Sequence, residues 1–247
     1  MKAFSRKPHQ PPTAASLQRV FRGINMQLYG DRGSSNTRRV LTVARHLQLN
    51  VEFIFVNLFA GENRTPAYLA LNPNGTIPTF VDGDVVLFEA SAIMIYLAEQ
   101  AGSTLWPDGA VRFETLEWMF WAAEHFRRGP SMLIEERFIK RIQGHAEDAV
   151  LVGDALRSIH RYAAVLDAHL RDRPFVVGHT LTLADIDLAA PFSHTPRTRA
   201  PFDAYPNLMA WHQRLIDRVP AWRSTGEDLE RRIAEIESAA VARTRTA

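Results

Sequence analysis

A few side chains could do chemistry together if the fold assembled them: Ser34, with Ser35 beside it, Arg64 and Glu89, near the backbone step Ile77-Pro78. Taken singly, each has an ordinary explanation. A serine ahead of an apolar-periodic run is first of all an N-cap, an acid in the first turn of a helix is favoured by the dipole, and a lone arginine is a surface charge. Proline cannot donate to a sheet ladder, so Pro78 belongs at a strand start or edge, where a cis bond also fits. Placement raises their value. Strand ends, the helix starts behind them and the Ile77-Pro78 edge are expected around one cleft. A backbone edge beside a helix N-terminus offers hydrogen bonds to an extended peptide and positive potential to a carboxylate.

Other chemistries find little support. The 247-residue chain has no cysteine, which removes disulfides, thiolate nucleophiles and thiolate metal sites and fits a reducing compartment. Its nine histidines include no HxH or HxxxH pair, so no metal site is expected. No strand is followed by GxGxxG or GxxxxGKS, so no nucleotide is expected either. No run approaches the ~18 apolar residues of a membrane span. The pI of 9.1 invites a nucleic-acid reading, but residues 1–24 carry Lys2, Arg6, Lys7, Arg19 and Arg22 and no acid. Without them the net charge moves from +2 to −3. The basicity belongs to the leader, and nucleic acid is set aside because binding needs a basic face on the folded body.

Residues 1–24 are proline- and arginine-rich with no apolar core, which suggests a disordered or dispensable leader rather than a secretory signal. Met26 to Tyr29 reads as a strand and Gly30-Asp31-Arg32-Gly33 as a loop. Val40, Leu41, Val43, Ala44 and Leu47 mark one face of a helix starting at the serines. Val51 to Leu58 is a second strand, followed by a polar loop and a short helix through Leu71. Val81-Asp82-Gly83-Asp84 between apolar runs signals a hairpin, and Glu89 to Ala98 a buried helix ending before Gly102. The pattern is βαβαββα, an α/β unit over residues 25–102. After a linker at 103–109, residues 110–240 give only helical patterns: about Val111 to Phe126, Glu135 to Gly144, Ala146 to Leu170, Leu183 to Ala190 and Asn207 to Val219. Thr182-Leu183-Ala184-Asp185 resembles a capping box, and Pro206 and Pro220 fall at helix boundaries.

LNPNGTIPTFVDGDVVLFEASAIMIYLAEQ, FVVGHTLTLADIDLAA and YPNLMAWHQRL, in this order and spacing, resemble the cytosolic glutathione S-transferases over nearly all of Met26 to Trp222. The resemblance implies a thioredoxin-like glutathione-binding domain followed by an all-α domain. SSNTRRV is similar to the phi and theta segments whose first serine is catalytic, which points to Ser34, with Ser35 as its neighbour. Asn36 matches an asparagine used near the thiol in fungal prion-like and related bacterial transferases. Asn63 and Arg64 stand where phi members hold the glycine carboxylate of glutathione with histidine and lysine. Ile77, before Pro78, would pair its backbone with the cysteinyl part, and Glu89 would meet the γ-glutamyl ammonium. Where the family commonly has glutamine before Ile/Val-Pro and serine after the glutamate, this chain has Thr76 and Ala90. The N–H of Ala90 remains at the helix start, and Ser91 is about a quarter turn further round.

These residues lead to an expected transferase that adds the glutathione thiol to a small hydrophobic electrophile, with the thiolate stabilised by the Ser34 hydroxyl. Glutathione would be co-substrate, without metal or nucleotide. Reduction of a peroxide or disulfide by bound glutathione is an alternative, and a non-catalytic binding module is another, favoured by Thr76 and Ala90. The stripe Trp118, Trp121 and His125 could line the electrophile site or pack the domain. The resemblance further implies a cytoplasmic homodimer.

Overall fold

The computed structural model describes residues 26–246, so the expected leader over residues 1–24 lies outside the described residues. β1 (Met26–Gly30) buries every second side chain. β2 (Val51–Phe55) runs parallel to it, with Met26 opposite Val51 and Gly30 opposite Phe55. Parallel neighbours need a crossover. α1 (Ser35–His46) supplies it and buries Val40, Leu41, Val43 and Ala44. After the short α2 (Pro66–Leu71), β3 (Thr79–Asp82) and β4 (Val85–Phe88) form an antiparallel hairpin. Its turn residue Gly83 has φ 59°, a conformation that glycine adopts without a Cβ penalty. The strand order is β2-β1-β3-β4. α3 (Ala90–Gln100) packs back with Ile93, Met94, Leu97 and Ala98 buried. This is the βαβαββα unit read from the pattern, with Ile77-Pro78 cis.

The second domain is helical: α4 (Ala110–Trp121), α5 (Arg128–Ile134), α6 (Ala149–Leu170), α7 (Leu183–Ala189), α8 (Pro206–Arg218) and α9 (Pro220–Thr246). It differs from expectation in two places. A helix was expected to start at Glu135, yet helical backbone already runs through Gly129-Pro130, flanked by π turns at Ala122–Phe126 and Glu135–Ile139. Pro130 has no N–H and its ring would crowd the carbonyl four residues back, at Phe126; a wide turn ending there accommodates both. Gly129 is needed for a different reason, since a Cβ there would lie 2.7 Å from the Ala155 carbonyl of α6. The other difference is α9. Pro220 falls at a helix boundary as expected, but a further helix starts there, with proline in a position where its missing N–H costs nothing.

The capping box forms as expected, with Thr182 and Asp185 bonding reciprocally at the start of α7. The Asp185 carboxylate also accepts from Val176 N and Trp211 Nε1, each at 2.8–2.9 Å. Burial pushes its pKa up to about 6 against the pull of those donors. Leu28 and Phe80 of the sheet, Ile93 and Met94 of α3, and Leu188 and Trp211 of the helical domain belong to one continuous apolar core.

The domains are also fastened by charge. Asp187 of α7 is fully buried and pairs with Arg39 of α1 and with Arg127, while Ser91 Oγ donates to it at 3.0 Å. Burial alone would raise the Asp187 pKa, but the Arg39 and Arg127 guanidiniums outweigh it and hold the carboxyl below its ordinary value. Asp187→Asn would leave two guanidiniums facing each other without a counter-charge, a loss of about 3–5 kcal/mol. A urea midpoint at neutral pH should show it. The advantage of wild type over the variant is complete above the ordinary carboxylate range and shrinks as pH falls through the lowered pKa of the folded state.

Candidate active site at the interdomain cleft

Ser34 ends the loop between β1 and α1. Its N–H donates to the Asp31 carbonyl at 2.9 Å, and the Gly33 N–H donates to Asp31 Oδ1 at 2.8 Å. In an extended conformation, φ −87° and ψ 128°, Ser34 caps α1 and accepts from Thr37 N at 3.3 Å. The cap uses an Oγ lone pair and leaves the hydroxyl proton to donate elsewhere. Ser34 is half-buried. Ser35 is the first residue of the helix proper.

Asn36 is exposed, and its Oδ1 accepts from Arg39 Nη2 at 2.9 Å. This orients the amide so that Nδ2 is the group presented outward. Arg39 also donates to Ser91 Oγ at 2.9 Å and pairs with Asp187. Burial lowers its pKa to about 10, with Asp187 opposing, so it is a cation at neutral pH. Ser91, expected near the ligand, is therefore engaged with the interdomain ion cluster. Ala90 is buried as the first residue of α3.

Glu89 precedes α3 with φ 72° and ψ 110° and makes no side-chain cap bond. Positive φ at a residue other than glycine costs about 1–3 kcal/mol and persists only where the surroundings enforce it. The consequence is an exposed carboxylate standing off the helix start instead of folding back on it.

Ile77 and Pro78 precede the ladder, whose first pair joins Thr79 to Tyr29, so the Ile77 backbone stands at one end of the sheet, just before central strand β3. Thr76 is exposed, Ile77 half-buried and Pro78 buried. The Thr76 carbonyl accepts from Tyr68 Oη at 2.7 Å and Asn72 Nδ2 at 2.8 Å, and Thr79 Oγ1 joins both donors at 2.9 and 3.1 Å. This network sets that end, and site reasoning from the sequence missed it. Its signal was the four-residue spacing of Tyr68 and Asn72, which places both on one side of α2.

Asn63 and Arg64 converge on the preceding turn. Asn63 Nδ2 donates to the Gly75 carbonyl at 2.7 Å, and Arg64 Nη1 to the Asn74 carbonyl at 3.3 Å. This bond uses one N–H of the Asn63 amide and leaves the other to donate elsewhere. Arg64 is exposed and keeps guanidinium donors for an anion.

Trp118, Trp121 and His125 are brought together, but against α6. Trp118 lies 4.2 Å from the His169 ring, Trp121 5.9 Å from Tyr162, and His125 stacks on Tyr162 at 5.2 Å. His125 is roughly half a turn from Arg127, which reaches Asp187. Cavities of about 360–660 Å³ open elsewhere on the described residues; an extended peptide paired with backbone needs a shelf, not a hole.

Comparison with known proteins decides the family. The chain is 34% identical over 206 residues to glutathione S-transferase 3 of Zea mays, spanning 81% of this chain and 92% of that protein. The chain belongs to the glutathione S-transferase family. Models of the glutathione S-transferase N-terminal and C-terminal domains match residues 24–99 and 129–218. Glutathione S-transferase GstB of Escherichia coli is 30% identical over 200 residues, covering 79% of this chain and 95% of that one. Among solved structures, the theta class glutathione S-transferase of Xanthomonas axonopodis pv. citri with glutathione bound superposes with a TM-score of 0.75 at 32% identity, over 82% of this chain and 97% of that one. Glutathione transferase F7 from Populus trichocarpa gives a TM-score of 0.77 at 25% identity, over 83% and 99%.

In a glutathione S-transferase fold the Gly75 turn sets both Asn63 and Arg64. Gly75 has φ 62°, and a Cβ there would lie 2.7 Å from Arg64 Nη1 and 3.0 Å from the Asn63 carbonyl. Gly75→Ala should cost about 1–3 kcal/mol through the positive φ alone and displace the Arg64 guanidinium. A thermal melt reads the first effect and glutathione binding by calorimetry the second.

Proposed function

We propose that this protein conjugates glutathione to a small hydrophobic electrophile, with Ser34 donating a hydrogen bond to the sulfur. The observation that carries the reading is the geometry of Ser34, a half-buried cap at the start of α1 whose hydroxyl proton is not consumed by the cap. A glutathione thiol is mostly protonated at neutral pH, given a cysteine pKa of ~8.5. A hydroxyl donor and a helix N-terminus both favour the thiolate. Ser34 does not itself attack; the sulfur does, displacing a leaving group or adding to an electrophilic carbon.

The rest of the peptide is held by groups already in place. The Ile77 backbone pairs with the cysteinyl residue. Glu89 receives the γ-glutamyl ammonium, and the N–H of Ala90 with Asn36 Nδ2 completes that end. Arg64 takes the glycine carboxylate. Thr76 contributes its backbone and Pro78 fixes the strand start. We assign Trp118, Trp121 and His125 to packing α4 on α6. No metal or nucleotide takes part in this scheme.

Ser34→Ala tests it. The rate with a standard aryl halide should fall ~10²- to 10³-fold, the loss of one donor to an anion, with glutathione affinity nearly unchanged. The pH midpoint of the reaction should move up, because the thiolate loses more than the thiol. Ser35→Ala should do little. Equal rates in wild type and Ser34→Ala across a pH series would leave Ser34 as a helix cap only.

We also propose that two copies associate as a cytoplasmic homodimer. Phe113 and Phe120 are 71% and 66% exposed and lie seven residues apart on α4, and Val86 and Phe88 are exposed on edge strand β4. Such a set of apolar side chains suits an interface. Sedimentation should give twice the 27.9 kDa chain mass at micromolar concentration and the single mass for Phe120→Glu. A wild-type monomer would reject the dimer.

A further inference from the structure

The loop that presents Ser34 is held by a helix that follows the segment matched by the C-terminal domain model. The family's C-terminal domain model ends at residue 218, and α9 follows it across the first domain. Arg38 of α1 lies over the Trp222 ring at 3.5 Å, Thr42 Oγ1 meets Thr225 Oγ1 at 2.9 Å, and Arg45 pairs with Asp228. About one turn further along, Arg232 reaches Asp31, with Nε 3.0 Å from Oδ1 and Nη2 3.0 Å from Oδ2.

Asp31 is the hub of the loop. Its Oδ1 accepts the Gly33 N–H and its carbonyl the Ser34 N–H. It is only 3% exposed, and a buried carboxylate without a partner takes a proton or moves to water. Among the described residues Arg232 is its ion-pair partner. The fit is tight as well: a Cβ on Gly33 would sit 3.3 Å from both Arg232 Cγ and Ile233 Cδ1. The Gly33 backbone also lies near His194, a buried ring whose pKa burial lowers to about 4, so no positive charge is added there at neutral pH.

We propose that Arg232 is a positioning residue: through Asp31 it sets where the Ser34 hydroxyl stands, and α9 is the strap that completes the site. The proposal rests on the reading of Ser34 given above, and it deepens that reading. A hydroxyl that donates one hydrogen bond to sulfur is useful only over a few tenths of an ångström. The carboxylate that fixes its loop takes its own position from a guanidinium on the last helix.

The test compares full-length Arg232→Ala, Arg232→Lys and Glu235→Ala with wild type. Glu235 is the exposed partner of Arg232 Nη1 and controls for disturbance of the helix surface. Amide exchange of Gly33 and Ser34 should quicken in Arg232→Ala, because both N–H groups bond to Asp31. Turnover should fall by roughly 10²-fold, the cost of a misplaced group, while the glutathione KM stays within about two-fold, since a lost donor to the transition state lowers kcat and not binding. The pH midpoint should rise by about one unit as thiolate stabilisation is lost. Arg232→Lys should recover part of each effect, and Glu235→Ala should match wild type. Wild-type exchange and pH midpoint in Arg232→Ala, whatever its melting temperature, would overturn the proposal. Asp31→Asn breaks the same pair with little change of shape and is read identically where Arg232→Ala does not fold. Ser34→Ala in parallel keeps the two readings apart: if it retains full activity the role of the serine falls, and the exchange rates alone still decide whether Arg232 holds the loop.

Discussion

The structure turns on one buried carboxylate. Asp187 lies at the junction of the two domains with Arg39 from one side and Arg127 from the other. Removing a charge from water costs several kcal/mol, and the pair returns that only with good geometry and satisfied remaining atoms. Here Ser91 donates to Asp187, and Arg39 donates to Ser91 and to Asn36, so both Asp187 oxygens and the two terminal nitrogens of Arg39 have partners. Glu89 adds a weaker attraction to Arg39, so the cluster links α1 and the start of α3 to α7 of the helical domain.

Around that fixed point the cleft is built from backbone more than from side chains. The Ile77 backbone is located by two donors on the Thr76 carbonyl, Tyr68 and Asn72, both tied to Thr79. Glu89 is held at positive φ, a local cost that keeps its carboxylate out of the capping role natural to an acid at a helix start. These features explain how the chain accommodates Thr76 and Ala90, since neither the Thr76 carbonyl nor the Ala90 N–H depends on the side chain attached to it.

Much of this was legible in the sequence because it rests on local rules. Gly83 between apolar runs gave the hairpin, Pro78 the ladder's start, and Thr182 with Asp185 the cap of α7. What was hidden rests on distance. Ser91 looked like a residue near the ligand, and only the fold brings Asp187, ninety-six residues on, to accept its proton. The helical backbone through Gly129-Pro130 was not expected, because a wide turn that relieves the proline has no composition of its own. The stripe Trp118, Trp121 and His125 was ambiguous on spacing; its ring partners Tyr162 and His169 lie on another helix. Pro220 marked a helix boundary, but α9 behind it was missed, since its apolar contacts Leu229, Ile233 and Ile236 are diluted by the charges it uses to grip the first domain.

That grip bears on the role proposed for Ser34. A serine hydroxyl is neutral at working pH, so it cannot lower a thiol pKa by charge and acts through one short hydrogen bond. Such a bond is worth most when the donor is held before the ligand arrives, because no reorganisation is then paid at the moment of reaction. A loop of glycines and polar residues between a strand and a helix has little intrinsic rigidity. The Asp31 carboxylate is anchored to Arg232 of α9, a residue 201 positions away, so the second domain reaches the loop that carries Ser34.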